Sequence, residues 1–205
     1  MSKLYLASSS QSRQQLLKDA GFMFEILRTS NEVEPFDAQA SLQENVEAAA
    51  EFKATTVILP PTTTEHSCIF VITADTLIAD AAGTILRKPA DLADAHNQLR
   101  LLRMGPCTIG TAFVVQKLEK TSENAWLLTK TARDYSESIA EFYVPDEAFD
   151  NYFEKLPFAL YACGSGIIEG FGAQFLQSFS GSYSGALGLP IFEVKETLKK
   201  LGYNQ

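Results

Sequence analysis

The chain has 205 residues, 46% of them apolar and 20% charged, which is enough to bury a sizeable core and excludes a disordered or collagen-like chain. A net charge of −8 makes the overall field repel polyanions, so nucleic acid is excluded as a partner and any phosphate ligand must be held by a few local cations. Cys68, Cys107 and Cys163 lie far apart, with no C-x-x-C and no His pair at ligand spacing, which argues against a disulfide framework or a zinc site.

In chain order, Leu4-Tyr5-Leu6-Ala7 reads as a short buried strand, Ser8-Ser9-Ser10 as a polar turn, and residues 11–20 as a helix closed by Gly21. Strand, turn and helix in that order open an α/β fold. Residues 22–27 supply a second apolar strand and residues 29–40 a polar loop. Ser41-Leu-Gln-Glu44 forms a capping box that starts a helix reaching about residue 58. After the loop Pro60-Pro61-Thr-Thr-Thr, the apolar run of residues 68–73 has the pattern of a central strand covered on both faces, with Asp75 just past its end. Residues 77–79 and 84–86 flank the turn Asp80-Ala-Ala-Gly83 as a hairpin.

Residues 90–102 read as a helix, and residues 111–115 and 131–144 as strands around a polar tip at 119–124. A short helix over 146–153, a mixed stretch over 159–168, Gly- and Ser-rich loops at 170–172 and 178–188, and a closing helix over 189–201 with Pro190 in its first turn complete the chain. No repeat, long linker or low-complexity tract breaks the alternation, so the expectation is one α/β domain, residues 1–205, with a mixed sheet. No segment approaches the roughly 20 apolar residues of a membrane span, and the opening apolar run is too short for a signal core. With the cysteine pattern, this predicts a cytoplasmic protein with no membrane partner.

Four places have the chemistry to act on a phosphate. Ser8-Ser9-Ser10 with Arg13 offers hydroxyls, free first-turn amides and a guanidinium; the alternative is a capping Ser10 and a solvated Arg13. Lys53 falls on the face marked by Val46, Ala49, Ala50, Ala54 and Val57. It should therefore point inward, where an ammonium must meet a carboxylate, a phosphate or a water-filled cleft, unless it snorkels at the helix edge. Asp75, at a strand's carboxyl end, is placed to bind a divalent ion or activate water, or else serves as a turn residue. Lys88 sits between Arg87 and Pro89 after a short strand, where it can meet a triphosphate or remain a surface lysine. His66 and His96 receive no catalytic role.

The order Leu6-Ala7-Ser8-Ser9-Ser10-Gln11-Ser12-Arg13, Glu34, Lys53, Ile72-Thr73-Ala74-Asp75-Thr76, Lys88-Pro89 and Gly188-Leu189-Pro190 resembles the Maf family, the septum-formation-inhibitor-like proteins, over nearly the whole chain. The resemblance implies a mixed twisted sheet flanked by helices, two lobes around a cleft, similar to inosine triphosphate pyrophosphatases. It implies hydrolysis of a nucleoside triphosphate substrate to the monophosphate and pyrophosphate with a divalent cation, Mg²⁺, and a homodimer. Carried over by position, Ser8 and Arg13 bind phosphate. Asp75, Glu34, Lys53, Lys88 and Glu169 are catalytic, with Glu34, Asp75 and Glu169 holding the metal. Ser12, Thr76 and Glu169 set substrate preference, and Glu169, where one branch has Gln, leans toward 7-methyl-GTP.

The chain departs from the family pattern at Ser10-Gln11-Ser12-Arg13, where the usual turn is Ser-Pro-Arg-Arg, and at Arg87, Met104 to Cys107 and Ala112. Those departures admit a second reading, a catalytically impaired nucleotide-binding regulator of cell division. A dinucleotide-binding fold is set aside, because G-x-G-x-x-G does not follow the first strand.

Overall fold

Alternating side chains decide how the first strand is covered. In the computed structural model, which describes residues 2–30, 33–63 and 65–204, strand β1 (Ser2–Leu6) sends Leu4 and Leu6 to one face, and Tyr5, followed by Ala7, to the other. Asn31 and Glu32 of the expected 29–40 loop and Thr64 of the expected Pro60 loop lie outside the described residues. Strand β3 (Cys68–Ala79) alternates in the same way: Phe70, Ile72 and Ala74 join Leu4 and Leu6, while Ile69 and Val71 join Tyr5. Because both faces carry apolar side chains, both need a cover.

On the first face the cover is Leu17 of helix α1 (Gln11–Asp19), with Leu189 and then Val194, Leu198 and Leu201 of the C-terminal helix, Ile191–Leu201. On the second face lie Leu27, Val57, Leu59 and Trp126, and helix α2 (Leu42–Thr55) is tied to β3 where the Thr73 hydroxyl donates to the Ala50 carbonyl at 3.0 Å. Alanines at 49, 50 and 54 leave little side chain on the buried side of α2, which lets that helix approach the sheet.

The remaining elements, in order, are β2 (Glu25–Ile26), β4 (Ile85–Leu86), α3 (Leu92–Leu102), β5 (Cys107–Lys120), β6 (Trp126–Phe142), α4 (Phe149–Lys155), β7 (Leu176–Gly181) and α5 (Tyr183–Ala186); the C-terminal helix is α6. Among the described residues, seven strands form one open sheet in the order β2-β1-β3-β5-β6-β7, with β4 paired to β3. It is mixed: β1 runs parallel to β2 and β3, whereas β3 with β4 and β6 with β7 are antiparallel. The expected α/β class, a mixed sheet flanked by helices, is what the structure has.

The chain divides into two compact units. The first comprises residues 1–75, 111–135 and 187–205, and the second residues 76–110 and 136–186. The core of the second is aromatic: Tyr152 packs edge-on against Phe142, Phe153 and Phe175, with ring centroids 6.3, 5.2 and 5.6 Å away.

Several expected elements are redrawn. The strand over 22–27 shrinks to Glu25–Ile26, because the Phe22 amide closes α1 on the Leu17 carbonyl at 2.9 Å and its ring joins the core. Asp75 lies inside β3, since pairing of Ile78 with Leu86 carries that strand on to Ala79. Strand β5 extends beyond 111–115 at both ends, and β6 starts five residues before the expected 131 and ends two before 144. The Ser-rich stretch at 178–188 is no plain loop: residues 176–181 form edge strand β7 and residues 183–186 a helical turn. An edge strand buries little, so β7 lacks the apolar alternation that marks a strand in sequence.

Candidate active site

Two periodicities bring the first acidic residue and the first lysine together. Asp75 has the parity of Ile69, Val71 and Thr73 and so faces α2, and Lys53 stands one turn beyond Ala50, the residue that Thr73 contacts. The Lys53 ammonium donates to Asp75 Oδ1 at 2.5 Å, with the two side chains only 16% and 13% exposed. The same ammonium pairs with Glu34 Oε1 at 3.2 Å. An inward lysine meeting a carboxylate is thus what the helix periodicity required; it does not snorkel.

Glu34 belongs to an irregular loop and cannot be placed by periodicity. What fixes the loop is Asn45, buried on α2. Its Oδ1 accepts the Asp37 amide at 2.8 Å, and its Nδ2 donates to the carbonyls of Asp37, Ala40 and Ser41 at 2.8, 3.2 and 3.0 Å. The helix start below it is closed by the expected capping box, Ser41 with Glu44. Sequence reasoning passed over Asn45; the signal was a polar side chain beside Val46 at the edge of an otherwise apolar face.

At the end of β1, Ser10 caps α1 by accepting the Arg13 amide, while the Ser8 hydroxyl accepts from the Ser10 amide at 3.2 Å and from the Arg13 guanidinium at 3.4 Å. Arg13 is not the solvated residue that was one alternative. It is buried, and its Nε donates to the Gly188 carbonyl at 2.7 Å, which joins the first motif to Gly188-Leu189-Pro190. Gly188 has φ +113°, a backbone that side-chain-bearing residues rarely adopt. Ser12 is half-buried on the same helix.

The second unit carries the other candidates. Thr76 follows Asp75 on β3 and is half-buried. Lys88 is exposed and lines an open cleft of about 360 Å³ with Pro89, Asp91, Leu92, Leu160 and Tyr161. Glu169 is half-buried in extended backbone (φ −112°, ψ 163°) and caps the following 3-10 segment with its carbonyl, which accepts the Gly172 amide at 3.0 Å.

Two carboxylates converging on one point provide the hard oxygen donors that a divalent cation takes, with water and phosphate oxygens able to complete its shell. Glu34 and Asp75 therefore fit such an ion. Among the described residues no three His, Cys, Asp or Glu side chains gather as a ready-made metal cage.

The chain matches the model for Maf-like protein over residues 3–201. It belongs to the Maf-like family. This Maf-like chain is 30% identical over 200 residues to a dTTP/UTP pyrophosphatase of Fusobacterium nucleatum, covering 98% of this chain and 96% of the relative. A dTTP/UTP pyrophosphatase of Caldicellulosiruptor bescii is 32% identical over 211 residues, with 100% and 97% covered, and one of Salmonella typhimurium 33% over 200 residues, with 97% and 92% covered. Proteins of that name are hydrolases acting on phosphoric anhydrides. No helix among the described residues of this family member is long and apolar enough to cross a membrane.

Proposed function

We propose that this Maf-like protein is a nucleoside triphosphate pyrophosphatase, releasing the nucleoside monophosphate and pyrophosphate. The observation that carries the reading is the Lys53 ammonium held between Asp75 and Glu34, which gathers a base, a cation and a second carboxylate in the first unit. Lys53 engages Asp75 Oδ1, leaving Oδ2 for water. In the proposed reaction, Asp75 takes a proton from water as its oxygen bonds to the α-phosphorus. The bond from that phosphorus to the α,β-bridging oxygen breaks, and pyrophosphate leaves with the electron pair. Ser8 and Arg13 bind phosphate, and Lys53 and Lys88 offset the charge that develops on the transferring and leaving groups. A divalent cation, Mg²⁺, held by Glu34, Asp75 and Glu169, would supply Lewis-acid polarisation of the phosphate when bound.

For the base, the names of the relatives favour dTTP and UTP, whereas Glu169 favours 7-methyl-GTP. Ser12 and Thr76 share in this choice. The proposal further takes residues 1–205 as one functional domain, acting as a homodimer in the cytosol; three free cysteines support that compartment.

The test is chromatographic product analysis after incubation with Mg²⁺ and dTTP, UTP or 7-methyl-GTP, beside Asp75→Asn. Monophosphate with pyrophosphate, abolished in the variant, is expected. Release of inorganic phosphate alone would overturn the reaction, and binding without turnover of any nucleotide would favour the regulator.

A further inference from the structure

Outside the residues already assigned, the second unit contains a chain of buried polar groups that ends at the Arg87 carbonyl, next to Lys88, and at the Ile167 amide, two residues before Glu169. Gln98 of α3, which is buried, donates from Nε2 to the Arg87 carbonyl at 3.1 Å, and its Oε1 accepts the Ser165 hydroxyl at 3.3 Å. The Gly164 amide donates to the same Arg87 carbonyl at 3.2 Å. Tyr152, wholly buried on α4, donates its hydroxyl to the Ser165 carbonyl and accepts the Ile167 amide, both at 2.9 Å. On the other side of Lys88, the Ala90 amide donates to Asp94 Oδ2 at 2.9 Å, so the connector holding Lys88 is fastened before and after it.

The geometry around these bonds admits few alternatives. Gly164 has φ +70°, and a Cβ there would meet Ile78 Cγ2 at 2.5 Å. Ser165, fully buried, adopts φ +56°, unfavourable for a residue with a side chain and held by its two polar neighbours. A fully satisfied buried network of this kind is rigid, because breaking any one bond strands a desolvated partner.

We propose that Gln98 and Tyr152 are positioning residues: they lock the Arg87–Lys88 turn to the segment from Gly164 to Glu169, so that the phosphate-facing lysine and the residue proposed to sense the base move as one piece. This rests on the roles given above to Lys88 and Glu169. Neither Gln98 nor Tyr152 touches substrate; each acts through the main chain it holds.

The experiment uses the full-length protein as Gln98→Met, Tyr152→Phe and Lys88→Ala, singly and as the two pairs with Lys88→Ala. Backbone hydrogen exchange at Gly164 and Ile167 tests the lock without reference to activity. Tyr152→Phe removes the acceptor of the Ile167 amide and should lower protection at Gly164 as well, and Gln98→Met, which leaves both amides' own bonds intact, should lower protection at both; loss confined to Ile167 in Tyr152→Phe, or no loss at either amide in Gln98→Met, overturns the proposal. Pyrophosphate release then tests the role. Gln98→Met should lower kcat/KM about tenfold, the worth of roughly one hydrogen bond, and should cost little further once Lys88 is alanine. An equal loss in both backgrounds shows a purely structural network and overturns the positioning role. If Lys88→Ala itself turns over like the parent, the reading of Lys88 fails, and hydrogen exchange still decides whether the lock exists.

Discussion

Replacing Lys53 with methionine removes the ammonium and keeps most of the side chain's length and apolar contact. Two carboxylates, Asp75 and Glu34, then face one another without the charge that held them. Breaking a fully buried ion pair costs about 3–5 kcal/mol, while an exposed pair is worth about 0.2–1 kcal/mol. The Lys53 and Asp75 side chains, 16% and 13% exposed, lie nearer the first case, whereas Glu34, 44% exposed, can rehydrate and lies nearer the second. The expected loss is about 2 kcal/mol, or a fall in Tm of about 4–8 °C for a chain of this size. Adding Asp75→Asn to Lys53→Met should restore part of that loss, because the charge left behind is gone. Circular dichroism melts of the parent, both single variants and the double variant measure this. A Lys53→Met protein melting within about 1 °C of the parent, or a double variant less stable than Lys53→Met, would refute the reasoning.

Three other perturbations have expected outcomes. Arg13→Ala strands the Gly188 carbonyl and should lower unfolding free energy by about 2 kcal/mol in urea titrations; Arg13→Lys should recover little, since a single ammonium cannot reproduce the guanidinium's fork between Ser8 and Gly188. Asn45→Ala releases the 37–41 turn and should make that loop a new site of limited proteolysis, while Ser41→Ala, which loses only the helix cap, should cost about 1 kcal/mol and leave the cleavage pattern unchanged. Alkaline pH should destabilise the fold. Burial pushes the Cys107 thiol up from 9.0 to about 11 and the Tyr152 hydroxyl well above its usual value, so the folded chain keeps protons that the unfolded chain gives up. Stability is then constant below about pH 9 and falls as pH rises toward 11, and Cys107→Ala should flatten the fall; an unchanged slope in that variant contradicts the assignment.

What could be read in the sequence, and what could not, follows from the range of each signal. The period of a helix and the period of a strand, each visible in a few residues, were enough to turn Lys53 inward and to set Asp75 near the end of a covered run. Capping chemistry is equally local, so Ser10 and the Ser41–Glu44 box are where they were expected. Asp75 was misplaced relative to its strand because the pairing that extends β3 involves Leu86, beyond a turn. Strand β7 was missed because an edge strand with Ser at alternate positions has no apolar face to announce it. Arg13 is the most instructive case. Locally it reads either as a phosphate ligand or as a solvated helix residue, and the Gly188 carbonyl that its buried Nε bonds lies 175 positions away. The buried network of Gln98, Ser165 and Tyr152 has the same character, with partners 67 and 13 positions apart and no shared period. Lys53, which faces two carboxylates, was thus marked by its conflict with an apolar pattern. Those that hold the site's backbone in place bond to main-chain groups, which every residue possesses, and so leave no mark in composition or spacing. In this chain the supporting polar residues Asn45, Gln98 and Tyr152 are where structure adds most to sequence, and they are accordingly the positions at which substitution separates a well-folded protein from a well-formed site.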